Sequence, residues 1–464
     1  MLDAIVARTR ADLRARMAAR PLASFAAGLA PSDRSLEAAL RRPRTGFILE
    51  CKRASPSRGV LCADFDPVAL GRAYGPFADA ISVLTNEPFF GGRHEDLAAV
   101  RAAVPLPVLC KDFVVDPYQV YEARRHGADA VLLMLSVLGD EEYRRCAAAA
   151  AELGLDVLTE AHTPAELDRA LALGARVIGL NSRDLRTLAV DHATVRALAP
   201  RVPAGPVVVA ESGVHGHADA RGLAPLADAL LVGSALCAAP DVPAAVRELV
   251  FGRVKVCGLT RPADAAAAWA AGATHGGLVF APGSKRQVDG ATAARVRAAA
   301  PLRWVGVFVD APAATIAAHA HALGLAAVQL HGDEPPAAVA ALKPLLPPGC
   351  EVWKAVRVRD RAPRRAETGA DRLLLDTWQP GAPGGTGRAF DWEVVRAHPE
   401  RGDLVVAGGL GRDNAAAADA LGVWALDASS GLEEAPGVKS AARMEAFFAA
   451  LRGPGRAPRA QESA

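Results

Sequence analysis

Short apolar runs recur along this chain at near-regular intervals, each followed by an alanine-rich stretch of helical periodicity. In the first half the runs are Phe47–Cys51, Ala80–Leu84, Pro107–Cys110, Ala130–Leu133, Asp156–Thr159, Val177–Leu180, Val207–Ala210 and Ala229–Val232. Helical stretches such as Pro117–His126, Glu141–Leu153 and Pro164–Leu173 separate them. The pattern restarts near Gly252 with Val254–Cys257, Gly277–Phe280, Trp304–Val309, Ala327–Leu330, Val352–Ala355, Leu373–Asp376, Leu404–Ala407 and Trp424–Asp427. The runs are continuous rather than alternating, as in parallel strands covered on both faces. Eight strands with eight helices in about 200 residues is the count of a (β/α)8 barrel. The chain therefore reads as α/β, with two tandem barrels at 1–251 and 252–452, the first carrying an N-terminal helical extension. The Gly/Pro/Arg-rich stretch 453–464 reads as a disordered tail.

Composition narrows the function classes. A formal net charge of +2 gives no electrostatic footprint for nucleic acid or an anionic membrane. No apolar run reaches the ~18 residues of a membrane span. Arg-rich residues 1–20 could pass for a transit peptide, but Asp3 and Asp12 and the stripe Leu2, Ile5, Val6, Leu13 and Met17 favour a folded helix. Seven scattered cysteines without a CxxC pair point to a reducing compartment, hence the cytoplasm, and away from disulfides or structural zinc. His215-x-His217 reads as loop, and His319-x-His321 as helix positions facing different ways, so neither makes a metal site. A covalent pair of barrels is expected to be a monomer.

Barrel active sites lie at the C-terminal ends of the strands, where this sequence concentrates reactive groups. Period-two alternation turns Glu50 and Lys52 to one face of the first strand. The third strand ends in Lys111, the fifth in Glu160, the sixth in Asn181 and the seventh in Glu211. Two lysines and three glutamates in one cavity must shift each other's pKa values. The Ser212-Gly213 and Gly233-Ser234 turns fall where barrels bind phosphate through backbone N–H groups. Residue chemistry alone stops at an enzyme acting on a phosphorylated, anionic substrate.

The run Phe47-Ile48-Leu49-Glu50-Cys51-Lys52-Arg53-Ala54-Ser55-Pro56-Ser57 resembles the first-strand signature of indole-3-glycerol-phosphate synthases. Leu109–Phe113, Leu158–Glu160, Asn181–Leu185 and Glu211–Gly213 resemble that family's later motifs, in order. The resemblance implies ring closure of 1-(2-carboxyphenylamino)-1-deoxyribulose 5-phosphate with loss of carbon dioxide and water. It assigns Lys111 as general acid and Glu160 as base in the dehydration. Lys52 would hold the anthranilate carboxylate, with Glu50 orienting the lysines and the departing hydroxyl. Asn181 and Glu211 would position substrate hydroxyl and amine groups, while Ser55, Ser212, Gly213, Gly233 and Ser234 match phosphate-loop positions. Arg183 falls near the ring and carboxylate, and Phe113 also belongs to the binding set. A lysine acid at neutral pH is expected to have its pKa lowered by a neighbouring cation and by desolvation.

In the second half, Cys257 ends a first barrel strand and Asp376 a sixth, so thiolate and carboxylic acid could flank one substrate. Lys255–Thr260, Gly306–Val309, Val328–Gly332, Gly384–Gly387, Ala407–Leu410 and Asp427–Gly431 resemble motifs of phosphoribosylanthranilate isomerases. That resemblance implies an Amadori rearrangement of N-(5-phosphoribosyl)anthranilate, with Asp376 as the ring-opening acid and Cys257 as the base at sugar C2. Arg286 would bind the anthranilate carboxylate, although Lys285 and Gln287 replace residues common in the family. Gln329 and His331 would contact substrate, and Gly385, Gly409, Ser429 and Ser430 would cradle phosphate. A histidine-pathway isomerase would carry Asp at the first-strand position, which Cys257 argues against. The reading for the whole chain is a bifunctional tryptophan-pathway enzyme acting on small phosphorylated anthranilate derivatives. No metal, nucleotide or organic cofactor is implied.

Overall fold

The computed structural model describes residues 1–184, 187–358, 361–377 and 391–456. Two compact units divide the chain: Met1–Leu249, joined by the chain from Pro454, and Val250–Gly453. Among the described residues each unit is built on a closed barrel of eight parallel strands. The first comprises β1 (Gly46–Cys51), β2 (Ala80–Leu84), β3 (Val108–Lys111), β4 (Ala130–Met134), β5 (Asp156–Ala161), β6 (Val177–Asn181), β7 (Val207–Glu211) and β8 (Ala229–Val232). The second comprises β9 (Arg253–Cys257), β10 (His275–Val279), β11 (Arg303–Phe308), β12 (Ala327–Leu330), β13 (Glu351–Val358), β14 (Arg372–Thr377), β15 (Val405–Val406) and β16 (Ala425–Ala428). The expected strands all appear, three of them to the residue and the others with ends shifted by one to three residues.

Alternate side chains of the first barrel, among them Ile48, Leu109, Leu132, Leu158, Val177 and Val209, fill its interior. Leu2 and Ile5 of the N-terminal helix α1 (Leu2–Ala19) join the same cluster. Leu13 is also buried, but Met17 is 38% exposed, so the apolar stripe ends a turn early and Thr9 takes a buried position instead. In the second barrel Trp353 and Trp424 pack edge to face, and His275 sits 5.8 and 5.6 Å from their rings.

The starts of the strands carry a repeated device. The side chain of Asp79, just before β2, accepts the amide of Phe47 at 2.9 Å, while the Asp79 amide donates back to the Phe47 carbonyl. Asp129 does the same to Val108, Asp228 to Val208, Asp371 to Val352, and Thr274 through its hydroxyl to Val254. These two-way bonds fix register at the barrel floor, where an unpaired strand-end amide would otherwise be buried without a partner.

Three expectations change. Phe251, placed in the first domain, packs against Phe448 at 5.2 Å and belongs to the second unit. His217 is not loop but opens the helix His217–Leu223. The tail begins as packed chain: Arg456 donates to the Pro206 carbonyl at 3.1 Å and pairs with Asp228 at 3.4 Å. Residues 457–464 lie outside the described residues. His319 and His321 bond different carbonyls, those of Thr315 and Leu345. No described helix is long and apolar enough to cross a membrane.

Candidate active sites

Strand register gathers the first site. Glu50 lies beside Ser82, Met134 beside Glu160, and Asn181 beside Glu211, all at the C-terminal ends. One cavity is lined by Glu50, Lys52, Ser55, Lys111, Phe113, Glu160, Asn181, Arg183, Glu211, Ser212 and Ser234. Its apolar wall adds Phe90, Leu132, Met134 and Leu231, with Met1, Leu2 and Ile5 from the N-terminus. An aromatic ring fits such a wall, and the Lys52 ammonium stands over the Phe90 ring, 5.9 Å from its centre.

The charges form two groups. Lys52 Nζ donates to Glu50 Oε1 at 2.9 Å, and Ser82 donates to the other Glu50 oxygen at 3.3 Å. Lys111 Nζ donates to Glu211 Oε2 at 3.0 Å and lies 3.5 Å from Glu160 Oε2. Glu50 thus holds Lys52, whereas Lys111 is held by Glu211 and Glu160. Burial pushes Glu50 up, but the cations Lys52 and Lys111 outweigh it and leave its carboxyl below the usual range. Glu160 is lowered in the same way, burial being outweighed by Lys111 and His162. Glu211 is pushed up to about 7, chiefly by burial, with Glu160 adding to the rise and Lys111 opposing it. For Lys111 the expectation of a lowered pKa is corrected. Burial does lower it, but Glu211, Glu160 and Glu50 together raise it well above the ordinary lysine value. It is a firmly protonated group whose acidity depends on how many of those carboxylates stay charged.

The phosphate-loop positions are legible in the backbone. Ser212 is left-handed at φ 67° and Gly213 follows at φ 82°. A side chain at Gly213 would collide with His192, and a Cβ at Gly233 would stand 2.6 Å from Glu50 Oε1. The Ser55 hydroxyl is buried without a hydrogen-bond partner among the described residues. Arg183 is half-buried and donates to the Leu188 carbonyl at 3.0 Å, while its amide donates to Asn181 Oδ1. Burial, then the charge of Arg58, lowers its pKa.

In the second barrel Cys257 ends β9 within a small apolar cluster of Val279, Ala281 and Val307. Two residues earlier, fully buried Lys255 donates to Asp427 Oδ2 and Gln329 Oε1, both at 2.9 Å. A Cβ at Gly277 would lie 2.8 Å from Cys257 Sγ and 3.1 Å from Lys255 Cε, so that glycine leaves the space where sulfur and lysine meet. Gln329 is 1% exposed; its amide nitrogen is 2.8 Å from His331 Nδ1, and His331 Nε2 is 3.4 Å from Asp376 Oδ2. Burial pushes the Cys257 thiol up and Lys255 pulls it partly back. Thus the expected thiolate is not the resting form, and Lys255 is the group that favours it.

Arg286 lies over Gly258, whose Cβ would stand 2.5 Å from the arginine Cδ. Its guanidinium is bidentate to Glu433, at 2.8 and 2.7 Å, so an incoming carboxylate must share or displace that partner. Lys439 donates to the same Glu433 at 2.8 Å and to the Ser429 carbonyl at 3.1 Å. Ser429 donates to the Cys257 carbonyl at 3.1 Å, and Ser430 opens the one-turn helix Ser430–Leu432 after β16. Gly409 is left-handed at φ 63° after β15. Gly385 lies outside the described residues. Sequence reasoning gave no role to Lys255, Asp427, Glu433 or Lys439. Lys255 could have been found by the parity that paired Glu50 with Lys52, since it stands two residues before Cys257.

Two barrels of parallel strands, each with buried acid–base groups at its strand ends, define a tandem-barrel enzyme with two acid–base sites. The family model described as "Indole-3-glycerol phosphate synthase" matches residues 2–249, and "N-(5'phosphoribosyl)anthranilate (PRA) isomerase" matches residues 254–450. The "Tryptophan biosynthesis protein TrpCF" of Vibrio cholerae is 49% identical over 437 residues, covering 94% of this chain and 92% of that protein. The Salmonella typhi protein of the same name is 46% identical over 452 residues, covering 97% and 99%. The solved phosphoribosyl anthranilate isomerase of Thermus thermophilus is 38% identical, covers 43% of this chain and 98% of its own, and has a TM-score of 0.39. The chain belongs to the bifunctional family joining indole-3-glycerol phosphate synthase to PRA isomerase. It catalyses these two reactions within tryptophan biosynthesis, the synthase in the N-terminal barrel and the isomerase in the C-terminal one.

Proposed function

We propose that the synthase step is run by Lys111 as general acid and Glu160 as general base, with Lys52 holding the substrate carboxylate against the Glu50 carboxyl. As the ring carbon attacks the ketone, the developing alkoxide takes a proton from the Lys111 ammonium. The carboxylate then leaves as carbon dioxide and the ring electrons are restored. Dehydration follows, Glu160 removing a proton while the hydroxyl departs as water. Ser55, Ser212, Gly213, Gly233 and Ser234 hold the phosphate, and Arg183, Asn181 and Glu211 fix the remaining polar groups. What supports this reading is the position of Lys111, 3.0 Å from Glu211 and 3.5 Å from Glu160 in the cavity that also holds Lys52.

In the isomerase, Asp376 protonates the furanose oxygen, opening the ring to an iminium. Cys257, as thiolate, then removes the C2 proton, and the enol becomes the ketose. Arg286 meets the anthranilate carboxylate, and Gly385, Gly409, Ser429 and Ser430 bind phosphate. Gln329 and His331 act from beneath, tying Lys255 to Asp376. The protein works as a monomer in the cytoplasm, where its seven free cysteines stay reduced.

The test feeds freshly made N-(5-phosphoribosyl)anthranilate to the purified chain and follows anthranilate fluorescence together with indole product. Parent protein is expected to complete both steps. Lys111→Ala should stop at the ketose phosphate and Cys257→Ser at the starting compound. Indole formation by Lys111→Ala at the parent rate would overturn the synthase assignment, and unimpaired fluorescence loss in Cys257→Ser the isomerase one.

A further inference from the structure

The synthase reaction does not balance in protons within the site. Ring closure adds one proton to the ketone oxygen, and departure of that hydroxyl as water takes a second. Loss of carbon dioxide from a carboxylate leaves its bonding pair in the ring and releases no proton. Only one proton comes back, from the carbon deprotonated in the dehydration. Each turnover therefore consumes one proton from solvent, although Glu50, Glu160 and Glu211 are only 1–3% exposed.

We propose that His162 and Glu166 form the path by which that proton reaches Glu160 and, through it, the reacting centre. This rests on the reading of Glu160 as the base. His162 follows β5 two residues after Glu160 and is not among the residues lining the cavity. Its Nε2 lies 3.3 Å from Glu160 Oε1, and its Nδ1 lies 3.4 Å from Glu166 Oε2. The His162 amide donates to that same Glu166 oxygen at 2.6 Å, which pins the carboxylate against the ring. Neither ring nitrogen has a formed hydrogen bond among the described residues, so each faces one carboxylate with room to take or give a proton. The Glu166 side chain is 16% exposed and the Glu160 side chain 1%, so the three groups step from solvent to the buried base.

An imidazole accepts a proton on one nitrogen and releases one from the other, which two carboxylates on opposite edges exploit. Burial lowers the His162 pKa, but Glu166 and Glu160 outweigh it and leave it above the ordinary histidine value; Glu211 contributes from β7. At the inner end of the path the Lys111 ammonium lies 3.5 Å from Glu160.

The test uses the full chain and preformed ketose phosphate, with indole product as readout. His162→Ala is expected to lose about tenfold or more in synthase kcat, the loss growing with pH, at little change in KM. Added imidazole should restore the rate in proportion to its protonated form, a response that a merely structural histidine would not give. Glu166→Gln should move the alkaline limb of kcat to lower pH, because it removes a partner that holds the histidine protonated. A binding titration with the reduced substrate analogue shows that the site is intact, and His162→Gln serves if the alanine variant fails to fold. Parent kcat and pH profile in His162→Ala or His162→Gln, or a loss that imidazole leaves untouched, would overturn the proposal. Glu160→Gln separates the two readings. An inactive Glu160→Gln beside a fully active His162 variant refutes only the proton path, whereas parent turnover in Glu160→Gln refutes the base assignment itself.

Discussion

Replacing Lys255 with methionine tests whether the charge beneath Cys257 serves stability, chemistry or both. The ammonium is completely buried and holds Asp427 and Gln329 at 2.9 Å each. Methionine keeps most of the volume but strands Asp427, whose other oxygen already lacks a partner among the described residues. Removing one member of a buried pair costs about 3–5 kcal/mol, because the remaining charge has neither water nor counter-ion. Against domain stabilities of about 5–15 kcal/mol, that is a large part of what holds the second barrel. Denaturant unfolding followed by tryptophan fluorescence should show the drop, and Lys255→Met combined with Asp427→Asn should recover part of it. Isomerase activity should stay low in both variants. Without the cation the Cys257 thiol rises further, and each unit of rise removes about tenfold of its thiolate. Turnover of preformed ketose phosphate at the first barrel should not change. A single variant as stable as the parent would refute the buried-pair argument, and a stable double variant with full isomerase activity would refute the support of the thiolate by Lys255.

Three further outcomes follow from geometry. Gly233→Ala has no left-handed backbone to strain, yet its Cβ would press Glu50 Oε1 at 2.6 Å; a cost of about 1–3 kcal/mol and a fall in synthase kcat are expected, and an unchanged kcat would show that Glu50 can move freely. His275 has its pKa lowered to about 3, first by burial and then by Arg303 and Arg253. A base lowered on folding stabilises the fold above its unfolded value near 6.5 and loses that contribution as pH falls toward 3. By pH 5 the second barrel should lose about 2 kcal/mol, and His275→Gln should flatten this slope in unfolding curves at pH 7 and 5. Glu433→Gln should weaken the bidentate hold on Arg286 and change KM for phosphoribosylanthranilate more than kcat; steady-state kinetics decide, an effect on kcat alone counting against a carboxylate-binding Arg286.

Much of this was readable because barrel strands announce themselves. Parallel strands under helices give unbroken apolar runs, so Ala80–Leu84, Ala229–Val232 and Ala327–Leu330 could be bounded to the residue. Alternation then turned Glu50 and Lys52 inward together, and the ends of the other strands supplied Lys111, Glu160, Asn181 and Glu211. Partnership was not readable. Whether Lys111 meets a cation or three carboxylates depends on which strand ends face each other across the barrel, a distance of up to a hundred residues in sequence. The same limit hid Glu433, which reaches Arg286 from a short two-stranded hairpin 147 positions away. His162 was overlooked because a histidine after a strand carries no periodic signal. Its meaning comes only from the glutamates on either side.

Gly127-Ala128-Asp129 and Gly272-Ala273-Thr274 echo each other as helix-ending glycines with positive φ that lead into a strand. Their third residues are the more consequential part. Every side-chain staple described at the barrel floor joins an odd strand to the even strand after it: β1 to β2, β3 to β4, β7 to β8, β9 to β10 and β13 to β14. Where Ala326 or Trp424 holds the equivalent place, only the backbone bond to the preceding strand remains. Five of the eight odd–even strand pairs are in this sense two-strand modules tied by a side chain as well as by main chain, whereas β5–β6, β11–β12 and β15–β16 show no such staple among the described residues. New chain ends opened between modules, as in the connection from β2 to β3, leave every staple intact. Ends opened inside a module, between β3 and β4, separate the two halves of a staple in sequence and leave it to be remade across a chain break. The grain along which such a barrel can be cut, permuted or rebuilt is thus already written at its floor, on the face away from the chemistry.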